Sequence, residues 1–324
     1  MSSTRREALG AAVAGATGLL AAPAVAPAAA PTAPATIVAA RSVTVRRGVA
    51  IAASRDGRTL VVAHDRRRTI ALIGRGGRAD RLVDVGGQPV EVAVSPDGRR
   101  IAVSTAAWDQ PGLVMVDPVA ARTLRRADVG PAPGAATFTT GRRARLVVVG
   151  GEQEGTLHVL DADGTAVLAR HELGLVPRGL AVTADGRAAW VALAAQDEVV
   201  RIDLRSGRLT RRLATPPRPE RLALAPDGRR LLLTHAGPDA DRVSEIDLRR
   251  GTVRRLPAGP LPAAVGYTRR GRRLAVVGGA GQVVVLGPRP RRRAVGGAPR
   301  GLAVVGERAF TVDHLTGAVH RVTA

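Results

Sequence analysis

The sequence of 324 residues contains no cysteine, and this absence excludes several kinds of chemistry at once. Without cysteine the chain has no disulfide, thiolate metal ligand, cysteine nucleophile, lipid-modified cysteine or c-type haem attachment site. Aromatic residues are also scarce, at 2%, so Val, Leu, Ile and Ala must build any hydrophobic core. Hydrophobic residues reach 45% of the chain, which is ample material for one.

Lysine and asparagine are absent as well, so all 49 basic residues are arginine. The net charge of +22 favours anionic partners such as nucleic acid, acidic polymers or membrane surfaces. The same composition, rich in Ala, Gly, Arg and Pro, is typical of a GC-rich genome. Binding and codon usage are therefore two alternative explanations for the arginine excess.

The N-terminal segment predicts export. Residues 3–9 (STRREAL) resemble a twin-arginine signal, and an Ala/Gly/Leu stretch follows, with A-x-A cleavage options near residues 24–30. A membrane anchor is the alternative, but the apolar run is short and three prolines interrupt it. We expect residues 1–30 to be a removed signal and residues 31–40 a disordered Pro/Ala linker. The mature chain is then extracytoplasmic (periplasmic, cell-surface or secreted) and has no transmembrane span.

One phrase recurs along the rest of the chain. It is clearest as PVEVAVSPDGRRIAVS from Pro89, and it returns as PRGLAVTADGRAAWVA from Pro177 and PERLALAPDGRRLLLT from Pro219. The turn glycines of the seven copies are Gly57, Gly98, Gly141, Gly186, Gly228, Gly271 and Gly306. Seven copies at intervals of 35 to 45 residues are typical of a propeller or a solenoid.

Each copy has the pattern of four short antiparallel strands. Val-rich apolar runs flank an Asp-Gly pair, which predicts a β-hairpin with a primed turn. A third strand ends in V-x-Ile/Val-Asp, as at Asp117, and an arginine-rich fourth strand follows. The chain ends after a third strand, whereas SVTVRR at Ser42–Arg47 resembles a fourth. The sequence therefore predicts an all-β, seven-bladed β-propeller over residues 41–324, its last blade closed by this N-terminal strand.

The phrase P-x-x-V-A-V-S-P-D-G-R-R, followed about twenty residues later by V-x-V-D, resembles the YVTN-type (WD-repeat-like) β-propeller repeat. The similarity covers residues 41–324, although the Tyr-Val-Thr-Asn signature itself is eroded. Trp190 or Phe310 occupies its Tyr position, for example. The resemblance implies the propeller fold. Because members include lactonases, quinoprotein dehydrogenase propellers, surface-layer proteins and DNA-binding propellers, it leaves the chemistry open.

In this topology, the starts of the inner strands and the ends of the second strands share one face, named the mouth face here. A polar pocket over the central channel would be built there. The candidate ligand-binding residues are His64, Glu91, Arg178, Glu220, Arg221, His235, Arg300 and Asp313. The alternative is that these are ordinary solvated loop residues.

No catalytic, metal or cofactor site is predicted. The six histidines are scattered over different copies without ligand spacing, and there is no G-x-S-x-G elbow. A lactonase-like hydrolase or cofactor-dependent dehydrogenase at the channel mouth remains the enzymatic alternative. For single-stranded nucleic acid, Trp108 is one candidate stacking platform, whereas Trp190 and Phe310 are predicted to lie in the core.

The hairpins on the opposite face, named the far face, are rich in arginine. The candidate polyanion-binding residues are Arg99, Arg100, Arg142, Arg143, Arg229, Arg230, Arg272 and Arg273. The leading hypothesis is an exported, non-catalytic, monomeric binding or interaction module. Its partner would be a protein or an anionic polymer of the cell envelope. A binder of nucleic acid or another polyanion through the far face is the third alternative.

Overall fold

The computed structural model describes residues 36–38, 48–64, 67–74, 79–106, 110–130, 133–140, 144–150, 154–237 and 241–324. Within the compact unit Pro31–Ala324, these residues form seven four-stranded antiparallel sheets. The predicted all-β, seven-bladed propeller is confirmed.

Each blade takes four strands that are consecutive in the chain, except the seventh, which adds the first strand of the protein. The first three blades are β2 (Gly48–Ala53), β3 (Leu60–His64), β4 (Thr69–Ile73), β5 (Ala79–Asp84); β6 (Pro89–Val94), β7 (Ile101–Thr105), β8 (Gly112–Asp117), β9 (Arg122–Ala127); and β10 (Ala136–Phe138), β11 (Arg145–Val149), β12 (Thr156–Asp161), β13 (Val167–Glu172). Blades 4 and 5 are β14 (Pro177–Val182), β15 (Ala188–Leu193), β16 (Glu198–Asp203), β17 (Leu209–Ala214); and β18 (Pro219–Leu224), β19 (Arg230–His235), β20 (Arg242–Asp247), β21 (Val253–Pro257). Blades 6 and 7 are β22 (Pro262–Tyr267), β23 (Arg273–Val277), β24 (Gln282–Leu286), β25 (Arg291–Ala294); and β26 (Pro299–Val305), β27 (Arg308–Asp313), β28 (Val319–Thr323), β1 (Thr36–Val38). A single 3₁₀ turn, Gly278–Ala280, interrupts the described strands.

Burial explains the composition of the strands. The second and third strands lie between neighbouring blades and are buried along their length, as in β3 and β7. Val, Leu, Ile and Ala pack there from two adjacent sheets into shared clusters, so each blade is stabilised by its neighbours. Trp190 and Phe310 are buried within these clusters, as predicted. The inner strands contact one another in sequence, and β26 contacts β2 to complete the ring.

The Asp-Gly hairpins differ from the primed turns that the sequence suggested. Ser95 accepts a main-chain hydrogen bond from Gly98 at 2.9 Å and pairs with Arg100 across the turn, also at 2.9 Å. The two central residues are thus Pro96 and Asp97, neither of which has a positive φ, and only Gly98 is left-handed, at φ 72°. Proline cannot adopt a positive φ, which explains why a primed turn is excluded. The Ser95 hydroxyl donates to the Asp97 carboxylate at 2.6 Å, fixing the loop from inside.

The closing strand lies closer to the N-terminus than we expected. The pairs Thr36↔Arg321, Ile37↔His320 and Val38↔Val319 join β1 to β28. Closure by an N-terminal strand is therefore confirmed, but the strand falls in the segment expected to be linker. The predicted segment Ser42–Arg47 lies outside the described residues. Both segments are short and rich in β-branched residues, so strand propensity alone does not choose between them.

Side chains in the fourth strands of blades 1, 3 and 4 form hydrogen bonds to the following blade. Arg81 in blade 1 donates hydrogen bonds to the carbonyls of Pro118 and Val119 in blade 2, at 2.8 and 2.6 Å. His171 in blade 3 donates a hydrogen bond to the carbonyl of Leu204 in blade 4 at 3.1 Å. Arg211 in blade 4 donates to the carbonyl of Leu248, which occupies the corresponding position in blade 5. These acceptors immediately follow the aspartate that ends the third strand. Part of the arginine excess is thus structural.

The predicted export signal, residues 1–30, lies outside the described residues. In the part of the chain that the structure describes, no helix has the length and apolar character needed to cross a membrane.

Candidate functional site

A central channel of about 940 Å³ is lined by residues of all seven inner strands. Most of its lining side chains are apolar, and the half-buried Val49, Val94, Leu180 and Leu302 are among them. The volume lies in the range of ligand-binding cavities in proteins. The charged residues of the lining are confined to one end, so the charged side chains of the channel lie at its mouth.

The registers of the strands place that mouth where the topology predicted. Pro89 pairs with Thr105, Pro219 with His235 and Pro299 with Asp313, so inner strands start where second strands end. The structure places five of the eight predicted ligand-binding residues in the channel lining. These are Glu91, Glu220, Arg221, His235 and Arg300.

An ion pair spans the channel mouth. The guanidinium of Arg221, from blade 5, donates to the carboxylate of Glu91, from blade 2. The side chain of Arg221 is 45% exposed and that of Glu91 is 19% exposed. The Glu91 carboxylate raises the pKa of Arg221, with a smaller contribution from neighbouring Glu220. Two blades that do not touch along the ring are therefore joined across its opening.

His235 lines the mouth, but both of its ring nitrogens are engaged. Nδ1 lies 3.0 Å from the carbonyl of Pro217 and Nε2 lies 2.8 Å from the hydroxyl of Ser244. Because a carbonyl only accepts, Nδ1 carries the proton, and the neutral ring accepts the Ser244 hydroxyl hydrogen at Nε2. Burial lowers the pKa of His235, which favours this neutral form. The ring is thus held in one tautomer by the fold, without a carboxylate partner.

The two other arginines of the mouth face differ in position. Arg300 is exposed and lines the channel, and its guanidinium has no hydrogen-bond or ion-pair partner in the described ranges. Arg178 is exposed at the start of β14 but is not part of the channel lining. Among the described residues that line the channel, Arg300 is therefore the unpaired cation.

His64 and Asp313 lie at the ends of second strands, as expected, but inside the protein. His64 is fully buried, its Nδ1 is 3.3 Å from the hydroxyl of Thr69, and its Nε2 has no hydrogen-bond partner among described residues. Burial, together with the nearby charge of Arg67, lowers the pKa of His64 to about 4. Asp313 is 2% exposed and accepts the main-chain N–H groups of Leu315 and Thr316. Neither residue lines the channel, so the prediction that they bind ligand there finds no geometric support.

A buried polar cluster between blades 5 and 6 was not anticipated from the sequence. Glu245, on the third strand of blade 5, accepts hydrogen bonds from Tyr267 at 3.1 Å and from Arg273 at 2.5 Å, both in blade 6. Arg230 approaches the same oxygen at 3.8 Å. Burial, followed by the Glu245 charge, raises the pKa of Tyr267, so its hydroxyl stays protonated as a donor. The feature of the sequence that could have indicated this cluster is Glu245 itself, a lone Glu within an apolar strand phrase.

The far-face arginines divide into three groups. Arg100 pairs with Asp163 at 2.6 Å, Arg230 with Asp227 at 3.3 Å, Arg272 donates to the carbonyl of Ala324, and Arg273 binds Glu245. Arg142 and Arg143 lie outside the described residues. Arg99 and Arg229 are exposed, and their guanidinium groups form no hydrogen bond or ion pair in the described part of the chain.

The described residues contain no group of three His, Asp or Glu side chains positioned to hold a metal ion. Trp108, the candidate stacking residue, lies outside them. Among the described residues, the chemistry at the channel mouth is thus that of the Glu91–Arg221 ion pair, the unpaired Arg300, Glu220 and the neutral His235.

No protein-family model and no curated protein matches the sequence. Among solved structures, hydrazine synthase of Kuenenia stuttgartiensis has a TM-score of 0.74 at 19% identity, covering 88% of this chain and 98% of that chain. The β-propeller domain of Cps50 (Swd1) of Myceliophteria thermophila has a TM-score of 0.69 at 12% identity, covering 86% and 97%. At these identities the similarity concerns the fold alone. The chain is a seven-bladed β-propeller.

Proposed function

We propose that the protein is an exported, non-catalytic β-propeller that binds a ligand at the mouth of its central channel. The observation that carries this proposal is a channel of about 940 Å³ that is lined mostly by apolar side chains and has charged residues at its mouth. Binding sites of proteins are concave, mostly apolar and equipped with a few oriented polar groups.

The geometry of the mouth favours binding over catalysis. A hydrolase needs a base within reach of a nucleophile and a group that orients the base. His235 instead donates to a carbonyl and accepts from Ser244, and Glu91 is neutralised by Arg221. The enzymatic alternative, a lactonase-like hydrolase or a dehydrogenase, would require both pairs to rearrange.

Export rests on the sequence of residues 3–9 and on the Ala-rich stretch that follows. The YVTN-type character rests on the recurring phrase at Pro89, Pro177 and Pro219. Export is tested by fractionating cells that express the chain, with Arg5 and Arg6 both replaced by Gln as the matched control. Retention of the intact precursor by the control alone supports export, and equal distribution of both forms contradicts it.

The binding function is tested by mass spectrometry of small molecules extracted from the purified protein. Thr137 is half-buried and lines the channel, so Thr137→Trp fills part of it, and Thr137→Val is the isosteric control. We expect a co-purified molecule in the parent and in Thr137→Val, and its loss from Thr137→Trp. A molecule retained equally by all three forms would place binding outside the channel.

A second candidate function is binding of a polyanion through the far face. At each Asp-Gly hairpin the acid is used internally, as when Asp97 accepts from Ser95 and from the main chain of Arg99. The guanidinium of Arg99 stays exposed, and the same holds at Arg229. Affinity for a heparin column that falls steeply with salt, and falls further in Arg99→Glu/Arg229→Glu, would support this function. If the mouth-face variant Arg178→Glu/Arg300→Glu lost as much heparin affinity, the binding would be a general effect of net charge and not a property of the far face.

A further inference from the structure

We propose that the Glu91–Arg221 ion pair is a gate that an amphiphilic organic anion opens by replacing Glu91 on Arg221. The ligand class is a small molecule with one anionic group, such as a carboxylate or sulfonate, on an apolar body. This inference rests on the proposed binding function and specifies its ligand.

The position of the pair makes it a gate. Glu91 and Arg221 come from blades 2 and 5, so their contact crosses the opening of the channel instead of following its wall. Both residues line the cavity, as do apolar residues further along the same inner strands, such as Val94. A molecule that enters from the mouth must therefore pass or separate the pair.

The charges favour an anion as the molecule that separates it. Arg221 keeps its charge whatever occupies the mouth, and it needs an anionic partner once Glu91 leaves. Arg300 lines the same cavity without a partner in the described ranges, so a second cation is available to the incoming group. Glu220 also lines the cavity and could receive a cation, but a cationic ligand would have to compete with Arg221 for Glu91 while facing Arg300.

The wall behind the gate defines the rest of the ligand. Its side chains are those of Val, Ala, Leu and Ile, with glycine and proline residues between them and Thr137 as the polar side chain beyond the charged mouth. An apolar body gains free energy by covering these side chains. Head and body of the ligand are thus selected by different parts of one channel.

Two fluorescent probes that differ by one charged group test this. Anilinonaphthalene sulfonate carries a sulfonate on an apolar ring system, and phenylnaphthylamine has the same rings without it. Both are titrated into the full propeller and into Glu91→Gln, Arg221→Gln, Thr137→Trp and the control Arg254→Gln, at an exposed position on the outer strand β21. Glu91→Gln retains the shape of Glu91 and removes its charge.

We expect Glu91→Gln to bind the sulfonate probe about fivefold more tightly and Arg221→Gln to bind it about fivefold more weakly. The neutral probe should bind both variants as it binds the parent. Arg254→Gln should change the binding of neither probe, and Thr137→Trp should weaken the binding of both.

If Thr137→Trp weakens both probes but Glu91→Gln and Arg221→Gln leave the sulfonate probe unchanged, the gate is overturned and the channel site stands. Equal effects of Glu91→Gln on the two probes would overturn the gate as well, because the charge would then not matter. If Thr137→Trp changes neither probe, the channel is not the binding site and both proposals fail.

Discussion

Glu245 shows how a single buried carboxylate holds two blades together. It is 7% exposed and accepts from Tyr267 and Arg273 of the neighbouring blade. Glu245→Leu should lower the free energy of unfolding by about 3 kcal/mol, because Arg273 and Tyr267 lose their acceptor in a buried place. Denaturant unfolding measures this.

The matched control is Asp241→Asn at the exposed pair Asp241–Arg242, whose atoms lie 3.2 Å apart. It should change stability by less than about 0.5 kcal/mol, as exposed ion pairs do. A loss at Glu245 no larger than that of the control would contradict the role of the cluster.

His64 predicts how stability depends on pH. Its pKa is 6.5 in the unfolded chain and about 4 in the fold, where burial favours the neutral ring. The unfolded state therefore binds the proton more readily than the folded state. The contribution of His64 to the free energy of unfolding is thus complete above about pH 6.5 and is lost as the pH falls towards 4. The full loss is about 3 kcal/mol. Unfolding of the parent and of His64→Gln across this range measures the difference, and identical pH profiles would contradict the assignment.

Single residues of the site were only partly predictable. The repeat phrase located Glu91, Arg221 and Arg300 at the starts of inner strands, and all three line the channel. The same phrase located His64 and Asp313 at the ends of second strands, but those side chains are buried. Periodicity gives the position along a strand, whereas the direction of a side chain at a strand end depends on the neighbouring blade.

At the scale of elements, the hairpins depend on one left-handed glycine each. Gly228 has φ 67°, and a Cβ added there would meet no atom within 4 Å. Gly228→Ala should therefore destabilise the protein by about 1 kcal/mol through its backbone conformation alone. Gly287 has equal space but does not have a positive φ, so Gly287→Ala is the matched control and should be close to neutral. Thermal unfolding of the two variants decides, and equal effects would refute the mechanism.

The sequence predicted the strands better than the contacts between them. Alternation and the Asp-Gly punctuation indicated which segments pair within a blade, and Asp117, Asp203 and Asp247 end third strands as expected. The bonds of Arg81 and Arg211 were not predictable in the same way. Their acceptors are carbonyls of the following repeat, and no residue type in the sequence marks a carbonyl as an acceptor.

At the scale of the whole molecule, the ring is closed by three residue pairs between β1 and β28. A chain that starts at residue 31 retains this strand, and one that starts at residue 39 lacks it. We expect the shorter chain to be less stable by about 2 kcal/mol, because the edge of β28 loses its main-chain partners. The comparison is made by denaturant unfolding.

The replacement Ile37→Pro in the longer chain is the control for length, since proline cannot donate to the ladder and should reproduce much of the loss. The assignment would be contradicted if the chain starting at residue 39 were as stable as the one starting at residue 31. If deletion of residues 42–47 then destabilised the protein, the closing strand would be Ser42–Arg47.

The ties from the fourth strand of one blade to the next have a consequence for how such a ring can change over evolutionary time. Donors such as His171 and Arg211 and acceptors such as Leu204 and Leu248 belong to successive copies of one unit. A gene segment that duplicates blade 4, which contains both the acceptor Leu204 and the donor Arg211, would therefore carry both partners of this contact. The new blade could form these hydrogen bonds with both of its neighbours without any new mutation. Deletion of blade 4 would leave the donor His171 and the acceptor Leu248 in the two blades that become neighbours. Variation in blade number is thus possible wherever the inner strands can still close around the channel.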